Sequence, residues 1–528
     1  MFRAVAQFAL NLSSSGATIG KTTNQKPRAG AGEGNRTLIK SLEGSRSTVE
    51  LHPQRRYFSV FACVVNRATG MVAPMSLVLL QGGRIVDPAN NRDEIADVLL
   101  SGGKIQSIAP DLTTPDGTEV IDCQGQVVCP GLIDLHVHFR EPGQTAKEDI
   151  ATGAAAAATG GFTTVVCMPN TSPTIDSPAT VKLIQERAAA AAPVNVYVTG
   201  TITLGIAGEE LSPIGSLKDA GVVAITDDGK CVQNNELMRR ALEYAGMFDL
   251  PVMDHCQDYS IVTDGVMHEG YWSTNLGLKG WPAAGEDLIV ARNIELAELT
   301  GTHIHCQHIS SGKSVELIRQ SKARGVPISG EACVHHFTLT DATIGGSEHF
   351  WAEDGRELQT EAQRTEWPAY DTHFKMNPPL RSADDRAAVI EGLADGTLEI
   401  LASDHAPHCA HEKDVEFDYA PFGITGLETE LAVSLTFLHH KGHLELSDLI
   451  AKYTVNPARL LKLPKGTLSE GADADVTVID PDAEWIFDAS TSPSKSSNTP
   501  FNGWTFKGRP TMTVVGGKIV WRAEAEMA

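Results

Sequence analysis

The sequence predicts an α/β protein. It reads as a (β/α)8 TIM-like barrel of about 330 residues with a small β-sandwich domain built from both chain ends. Three observations predict it. Short apolar runs alternate with helix-like segments through the middle of the chain. β-rich runs around Gly-Gly pairs flank that middle on both sides. Five of the apolar runs close with Asp or His, where a barrel of parallel strands presents its chemistry. A chain of 528 residues, 42% of them apolar, has room for two or three domains.

The first seventy residues stand apart. They hold ten Lys/Arg against three Asp/Glu, while the remainder holds 33 against 63. The stretch 13–47 is rich in Ser, Thr, Gly and basic residues and has no usable period, so 1–70 is expected to be a disordered extension or to precede a true start at Met71 or Met75. Its opening apolar run, 4–12, is too weak for a secretory signal, and no chemistry is expected from the segment.

From Ser76 the elements become regular. Runs 76–86 and 97–108 each surround a Gly-Gly pair and read as hairpins, echoed at the far end by a strand over 474–479 and a hairpin around Gly516-Gly517. The composite β domain is therefore assigned to 76–129 and 463–528, and the barrel to 130–462. Barrel strands are expected at 131–135, 163–167, 194–198, 222–225, 251–254, 302–306, 326–330 and 400–402, with helices such as 178–192, 235–244 and 285–299 between them. The stretch 488–501 reads as a Ser/Pro-rich loop.

Polar residues cluster at the strand ends. Gly131-Leu-Ile-Asp-Leu-His136-Val-His138 ends in His-x-His, and residues two apart in a strand share a face. Later strands end in Asp227-Asp228, His255, His308 and Asp404. Imidazole and carboxylate suit Zn2+ or a similar divalent ion, and four His with two Asp exceed the needs of one zinc. They suit a two-metal site with a bridging carboxylate.

With these motifs in view, the chain from Ser76 onward resembles the amidohydrolase superfamily and, within it, the class I dihydroorotases. The resemblance rests on Asp134-Leu-His-Val-His-Phe-Arg-Glu-Pro-Gly143, Met168-Pro-Asn-Thr171, Asp227-Asp-Gly229, His255-Cys256 and Leu276-Gly-Leu-Lys-Gly280. It continues in Asn377-Pro-Pro-Leu-Arg381, Ser403-Asp-His-Ala-Pro-His408 and Pro421-Phe-Gly-Ile-Thr-Gly-Leu-Glu-Thr429. It implies reversible cyclisation of N-carbamoyl-L-aspartate to L-dihydroorotate, a step of de novo pyrimidine synthesis. It implies two Zn2+ per chain, one on His136, His138 and Asp404, the other on His255 and His308, with Asp228 bridging. Asp228 is preferred to Asp227 because it stands 27 residues before His255, which resembles the family spacing. Asp404 is also the implied proton carrier. Arg140, Asn170 and His408 are expected around the substrate's unreactive carboxylate, Asn377 on the ring, and Phe422 and Gly423 at the pocket wall. His305 and His405 are expected to be packing or supporting residues, and His303 has no assigned role. Substrate is the expected partner, a homodimer the expected assembly, and the resemblance leaves open a complex with aspartate carbamoyltransferase.

One departure is an insertion at about 341–372, expected as a surface excursion or oligomer contact. Dihydropyrimidinase, hydantoinase and allantoinase are the nearest alternatives. Such relatives typically bridge their metals with a carboxylated Lys, and their substrates lack the carboxylate that Arg140 would meet. A noncatalytic dihydroorotase-like partner of aspartate carbamoyltransferase usually loses metal ligands, and none is missing here. The net charge of −23 argues against nucleic acid or an anionic membrane surface as partner, and the chain has no apolar run of spanning length. Nine scattered cysteines, several inside apolar runs, read as reduced thiols and point to the cytoplasm.

Overall fold

The computed structural model describes residues 77–523. The sequence reading of 1–70 lies outside the described residues. Strands β1 (Leu77–Asp87), β2 (Arg92–Ser101), β3 (Lys104–Ala109), β4 (Glu119–Asp122) and β5 (Val127–Pro130) open the fold. The middle of the chain carries β6 (Leu132–Val137), β7 (Phe162–Cys167), β8 (Asn195–Val198), β9 (Val252–Asp254), a two-residue pair β10 (Met267–His268) and β11 (Gly280–Trp281), then β12 (Ile304–Cys306), β13 (Ile328–Cys333) and β14 (Ile400–Ala402). Strands β15 (Val476–Ile486), β16 (Thr505–Val515) and β17 (Lys518–Arg522) close it.

The two chain ends share one sheet, in the order β17-β16-β15-β5-β1-β2-β3 with β4 beside β1. The hydrogen bonds join all eight strands in a single sheet rather than the two of a sandwich. Its buried face, with Leu80, Ile85, Val98, Val128, Val476 and Val514, follows the period-two pattern that sequence shows. The expected hairpin over 76–86 is instead one strand with a bulge between Leu80 and Gly83. Asp97 on β2 accepts the Gly82 N–H at 2.8 Å, so the glycine pair, with Gly82 at φ 70°, kinks the strand without reversing it. The Gly102-Gly103 and Gly516-Gly517 pairs do reverse the chain, between β2 and β3 and between β16 and β17.

The central strands form two parallel ladders, β6-β7-β8 and β9-β12-β13-β14. Single parallel bridges pair Gly200 with Ile225, Ile225 with Val252, and Val137 with His405. The expected strand 222–225 is thus reduced to bridges at Ile225, because the chain turns immediately into Thr226, Asp227 and Asp228, whose side chains bind neighbouring segments. Leu135, Val166, Ala224, Met253 and Ile400, from five different segments of the middle of the chain, pack in one buried cluster. Helices begin where polar caps take up free N–H groups: Asp149 before Ile150–Thr159, Ser177 before Pro178–Ala191, Asn234 before Asn235–Gly246. The architecture is a mixed α/β fold with an end sheet drawn from both termini.

The 341–372 insertion is packed rather than adrift on the surface. Its Phe350, Trp351 and Trp367 meet Phe374 and Trp504, with Trp367 stacked on Trp504 at 6.5 Å. The indole N–H of Trp351 donates to Thr365 O and that of Trp367 to Thr343 O. None of the described helices is long and apolar enough to cross a membrane, and the eight described cysteines are all free.

Candidate active site

Strand ends deliver the polar residues to one place. His136 is on β6, His138 one residue past its end, His255 one residue past β9, His308 two past β12 and Asp404 two past β14. Asp228 follows the bridge at Ile225. Its two carboxylate oxygens stand 3.3 Å from His136 Nε2, 3.3 Å from His138 Nε2, 3.5 Å from His255 Nδ1 and 3.7 Å from His308 Nε2. Asp404 Oδ1 lies 3.0 Å from His138 Nε2 and 3.5 Å from His136 Nε2. Asp227 turns away and accepts the N–H groups of Ile202 at 2.8 Å and Thr203 at 3.0 Å. All six clustered residues are buried.

Three non-glycine residues here hold left-handed backbone: Arg140 at φ 58°, His308 at φ 35° and Asp404 at φ 46°. That conformation is costly for side chains with a Cβ and recurs where a site must aim a group off the strand direction. Asp134 braces the arrangement. It accepts the backbone N–H of His136 at 3.0 Å and the hydroxyl of Ser403, so it ties β6 to the loop carrying Asp404.

Three of the four rings are oriented from outside, while the outer nitrogen of His308, Nδ1, is buried without a hydrogen-bond partner. His136 Nδ1 meets Glu331 Oε1 at 2.6 Å, His138 Nδ1 meets Asn170 Oδ1 at 2.9 Å, and His255 Nε2 meets Gln257 Oε1 at 2.9 Å. These partners accept, so the outer nitrogens carry the protons and the inner nitrogens present lone pairs toward Asp228. His255 Nδ1 and His308 Nε2 then face each other at 2.9 Å, and His136 Nε2 is buried with no hydrogen-bond partner. Lone pairs converging on carboxylate oxygens need a cation between them. The residues fit one, and the ligand atoms of His136, His138 and Asp228, of His136, His308 and Asp404, and of Asp228, His255 and His308 each lie within 4.8 Å of one another.

The electrostatics agree. Burial opposes the Asp228 carboxylate, yet His136, His255 and His308 outweigh it and hold the group well below the usual range. Asp404 is depressed in the same way, burial being outweighed by His136, His138 and His308. Burial also opposes a charged His136, and Asp228, Glu331 and Asp404 together overcome it and raise the ring, so these carboxylates favour a cation at Nε2, a proton or, in its place, a metal ion.

The remaining predicted residues surround this centre. Arg140 is buried; its Nε donates to Pro407 O at 3.3 Å, and neither Nη group bonds another described residue. Burial pulls it down to about 10, so it stays cationic at neutral pH. His408 donates from Nε2 to Phe422 O at 2.9 Å, and burial, then Arg140, Lys147 and Lys413, push it down to about 3. Asn170 also donates to Asp228 O at 3.3 Å, so its amide is engaged in holding the centre. Asn377 donates to Gln257 Oε1 at 3.2 Å and leaves its Oδ1 buried and unpartnered. The Phe422 ring lies against Trp281 at 5.8 Å, and Gly423, at φ 127°, passes so close to Ala406 that a Cβ would sit 2.7 Å from its methyl. His405 approaches Glu148 at 3.4 Å and accepts the Gly426 N–H at 3.2 Å, on partners other than Asp228 and Asp404.

Sequence reasoning missed Glu331, Gln257 and Asn498. Glu331 lies inside β13, one residue beyond the expected strand 326–330, because the strand runs on to Cys333. Asn498 sits in the Ser/Pro-rich stretch read as a plain loop. It accepts the His408 N–H at 3.0 Å and donates to Ala406 O and Gly423 O, buckling the two loops that wall the site.

Comparison with known proteins follows the same lines. A family described as dihydro-orotase-like matches residues 125–314, and one described as an amidohydrolase family matches 422–521. A dihydroorotase of Pelotomaculum thermopropionicum is 51% identical over 84% of this chain and 98% of its own length. One of Geobacter sp. (strain M21) is 49% identical over 84% and 99%, and one of Acetivibrio thermocellus 47% identical over 84% and 99%. Among solved structures, an L-hydantoinase from Arthrobacter aurescens superposes with a TM-score of 0.72 at 23% identity, covering 85% of this chain and 97% of its own. A D-hydantoinase from Thermus sp. gives 0.69 at 25% identity, covering 85% and 97%.

Proposed function

The chain belongs to the dihydroorotase family of amidohydrolases and is a cyclic amide hydrolase of that type; from that premise we propose that it interconverts L-dihydroorotate and N-carbamoyl-L-aspartate at a centre of two Zn2+ ions bridged by Asp228. We read the two parallel ladders and the bridges between them as one (β/α)8 barrel presenting this centre at its C-terminal face.

His136, His138 and Asp404 would hold one ion, and His255 and His308 the other. When bound, such ions lower the pKa of a water and polarise the ring amide carbonyl. Asp404 takes the proton of the attacking water and hands it to the leaving ring nitrogen. In the closing direction the carbamoyl nitrogen attacks the side-chain carboxyl carbon, Asp404 takes the proton that nitrogen loses, and the same proton passes to the departing oxygen, which leaves as hydroxide. The Asn377 Oδ1, buried and unpartnered, accepts a ring N–H.

The observation that carries the substrate assignment is Arg140. A buried guanidinium with both Nη groups uncommitted, a few residues from the carboxylate cluster, calls for an anion on the substrate. Hydantoin and dihydrouracil rings offer none. The deciding experiment uses Zn2+-loaded protein with L-dihydroorotate, hydantoin and dihydrouracil side by side, and Asp404→Asn as control. Turnover of dihydroorotate, lost about 10²–10⁴-fold in the variant, is expected. Preference for the neutral rings rejects the substrate assignment. Two bound ions with no turnover of any ring would favour the noncatalytic partner instead.

A further inference from the structure

The orientation of His136 is traceable beyond Glu331. In parallel register, His305 on β12 is paired with Ser329 on β13. His303 and His305 are two apart on one chain segment, and Ser329 and Glu331 two apart on the next, so side chains of equal facing interleave. His303 Nε2 lies 2.8 Å from Ser329 Oγ, Ser329 Oγ lies 2.8 Å from His305 Nδ1, His305 Nε2 lies 2.9 Å from Glu331 Oε2, and Glu331 Oε1 lies 2.6 Å from His136 Nδ1. His305, Ser329, Glu331 and His136 are all buried, and His303 is half-buried. Its end of the row opens on a cavity of about 700 Å³ that His303 and Ser329 line with Pro251, Pro327 and Ile400. Those prolines precede β9 and β13, so the cavity lies at the opposite strand ends from Asp404.

We propose that His303, Ser329 and His305 are positioning residues: through Glu331 they fix the tautomer and ring orientation of the metal ligand His136 from the far end of the strands. The inference rests on the two-metal reading of the site. With neutral rings one proton arrangement satisfies the four contacts of this row and leaves only the longer approach of Gln307 Nε2 to His136 Nδ1, at 3.3 Å, unmade. Glu331 sets one carboxylate oxygen against each ring, Oε1 on His136 and Oε2 on His305, and an ionised carboxylate only accepts. His136 therefore donates from Nδ1 and His305 from Nε2. His305 Nδ1 is then an acceptor, and the Ser329 hydroxyl is its donor. Ser329 has one proton, so its oxygen accepts the third contact, from His303 Nε2–H. Burial, then His305, Lys322 and Lys462, press His303 down to about 4, which keeps it neutral. Each link sets the next, and the last leaves His136 Nε2 as a lone pair facing Asp228.

A serine in a strand that merely packs predicts a loss of stability alone. A positioning serine predicts a loss at the metal. The test compares wild type, Ser329→Ala and Ser329→Thr, metal-freed and refilled with Zn2+ against graded dipicolinate, with ions counted per chain. Steady-state kcat and KM for L-dihydroorotate and the melting temperature of each metal-free protein are measured beside them. Ser329→Ala is expected to weaken Zn2+ binding about tenfold and lower kcat about tenfold, with KM within about twofold, as outer partners of metal-binding histidines do. Ser329→Thr, which keeps the hydroxyl, is expected to recover both to within about threefold. If Ser329→Ala does not fold, His303→Leu at the half-buried end takes its place, with Zn2+ affinity down about threefold. Unchanged Zn2+ affinity and kcat in a folded variant, whatever its melting temperature, overturn the positioning role. A wild type that binds no metal overturns the two-metal reading and this inference together, whereas two ions in wild type with unaffected variants removes this inference only.

Discussion

Replacing Arg140 separates charge from geometry at the proposed carboxylate pocket. Its Nε is committed to Pro407 O at 3.3 Å, and its two Nη groups have no hydrogen-bond partner among the described residues. They can offer two parallel N–H bonds to two carboxylate oxygens. A hydrogen bond to a charged group contributes about 1.5–3 kcal/mol. Arg140→Lys keeps a cation but not the fork, so one such bond is lost, and kcat/KM for L-dihydroorotate should fall about 10–150-fold at about 1.4 kcal/mol per decade. Arg140→Gln loses the charge as well and should fall about 10²–10⁴-fold, mostly through KM. Both replacements meet the same left-handed backbone at φ 58°, so strain is common to the pair. Initial rates of ring opening, followed by ultraviolet absorbance, give both constants. Residual turnover of dihydrouracil, which has no carboxylate, is the internal control and should change less than about threefold, since nothing in it meets the fork. An unchanged KM for dihydroorotate in Arg140→Gln, or an equal fall for both rings, would refute the reasoning.

Three further perturbations have defined outcomes. His408 is depressed to about 3 from 6.5, by burial first and then by Arg140, Lys147 and Lys413, so the unfolded chain takes up its proton before the folded one does. Stability from this group is complete above pH 6.5 and lost toward pH 3 at up to about 1.4 kcal/mol per pH unit; urea midpoints at successive pH values should fall less steeply in His408→Gln, and parallel curves would count against the assignment. Trp504→Ala empties the meeting point of Trp351, Trp367, Phe437 and Phe501 and should cost about 3–5 kcal/mol in denaturant unfolding, whereas a loss under about 1 kcal/mol would mean the insertion is not anchored there. Gly423→Ala places a Cβ 2.7 Å from the Ala406 methyl and 3.0 Å from its carbonyl oxygen at φ 127°, which should displace the Asp404–His408 loop and lower kcat/KM about 10–100-fold; wild-type kinetics would show the loop yields without consequence.

The parts of the fold legible in sequence were those governed by local period and local chemistry. Apolar runs located β6, β7, β8, β9, β12, β13 and β14, and the residues just past them carried the His and Asp that the structure brings together. The choice between Asp227 and Asp228 was open to spacing alone; the structure turns Asp227 to the N–H groups of Ile202 and Thr203. What sequence did not show depends on contacts distant along the chain. The Gly82-Gly83 pair is a bulge because Asp97, across the sheet, takes the Gly82 N–H. Glu331 reaches His136 across 195 positions, and Asn498 reaches the His408 backbone across 90. The insertion reads as a surface excursion or oligomer contact because the residue that anchors its Trp351 and Trp367, Trp504, comes from the far end of the chain.

The most direct test of the central claim is the electron paramagnetic resonance spectrum of metal-freed protein refilled with Mn2+, with ions counted per chain. Asp228, with its oxygens at 3.3–3.7 Å from four imidazole nitrogens, should bridge two ions. Two Mn2+ per chain are expected, with coupled spins whose coupling is abolished in Asp228→Ala. One ion per chain, or two whose signals are those of isolated Mn2+, would contradict it.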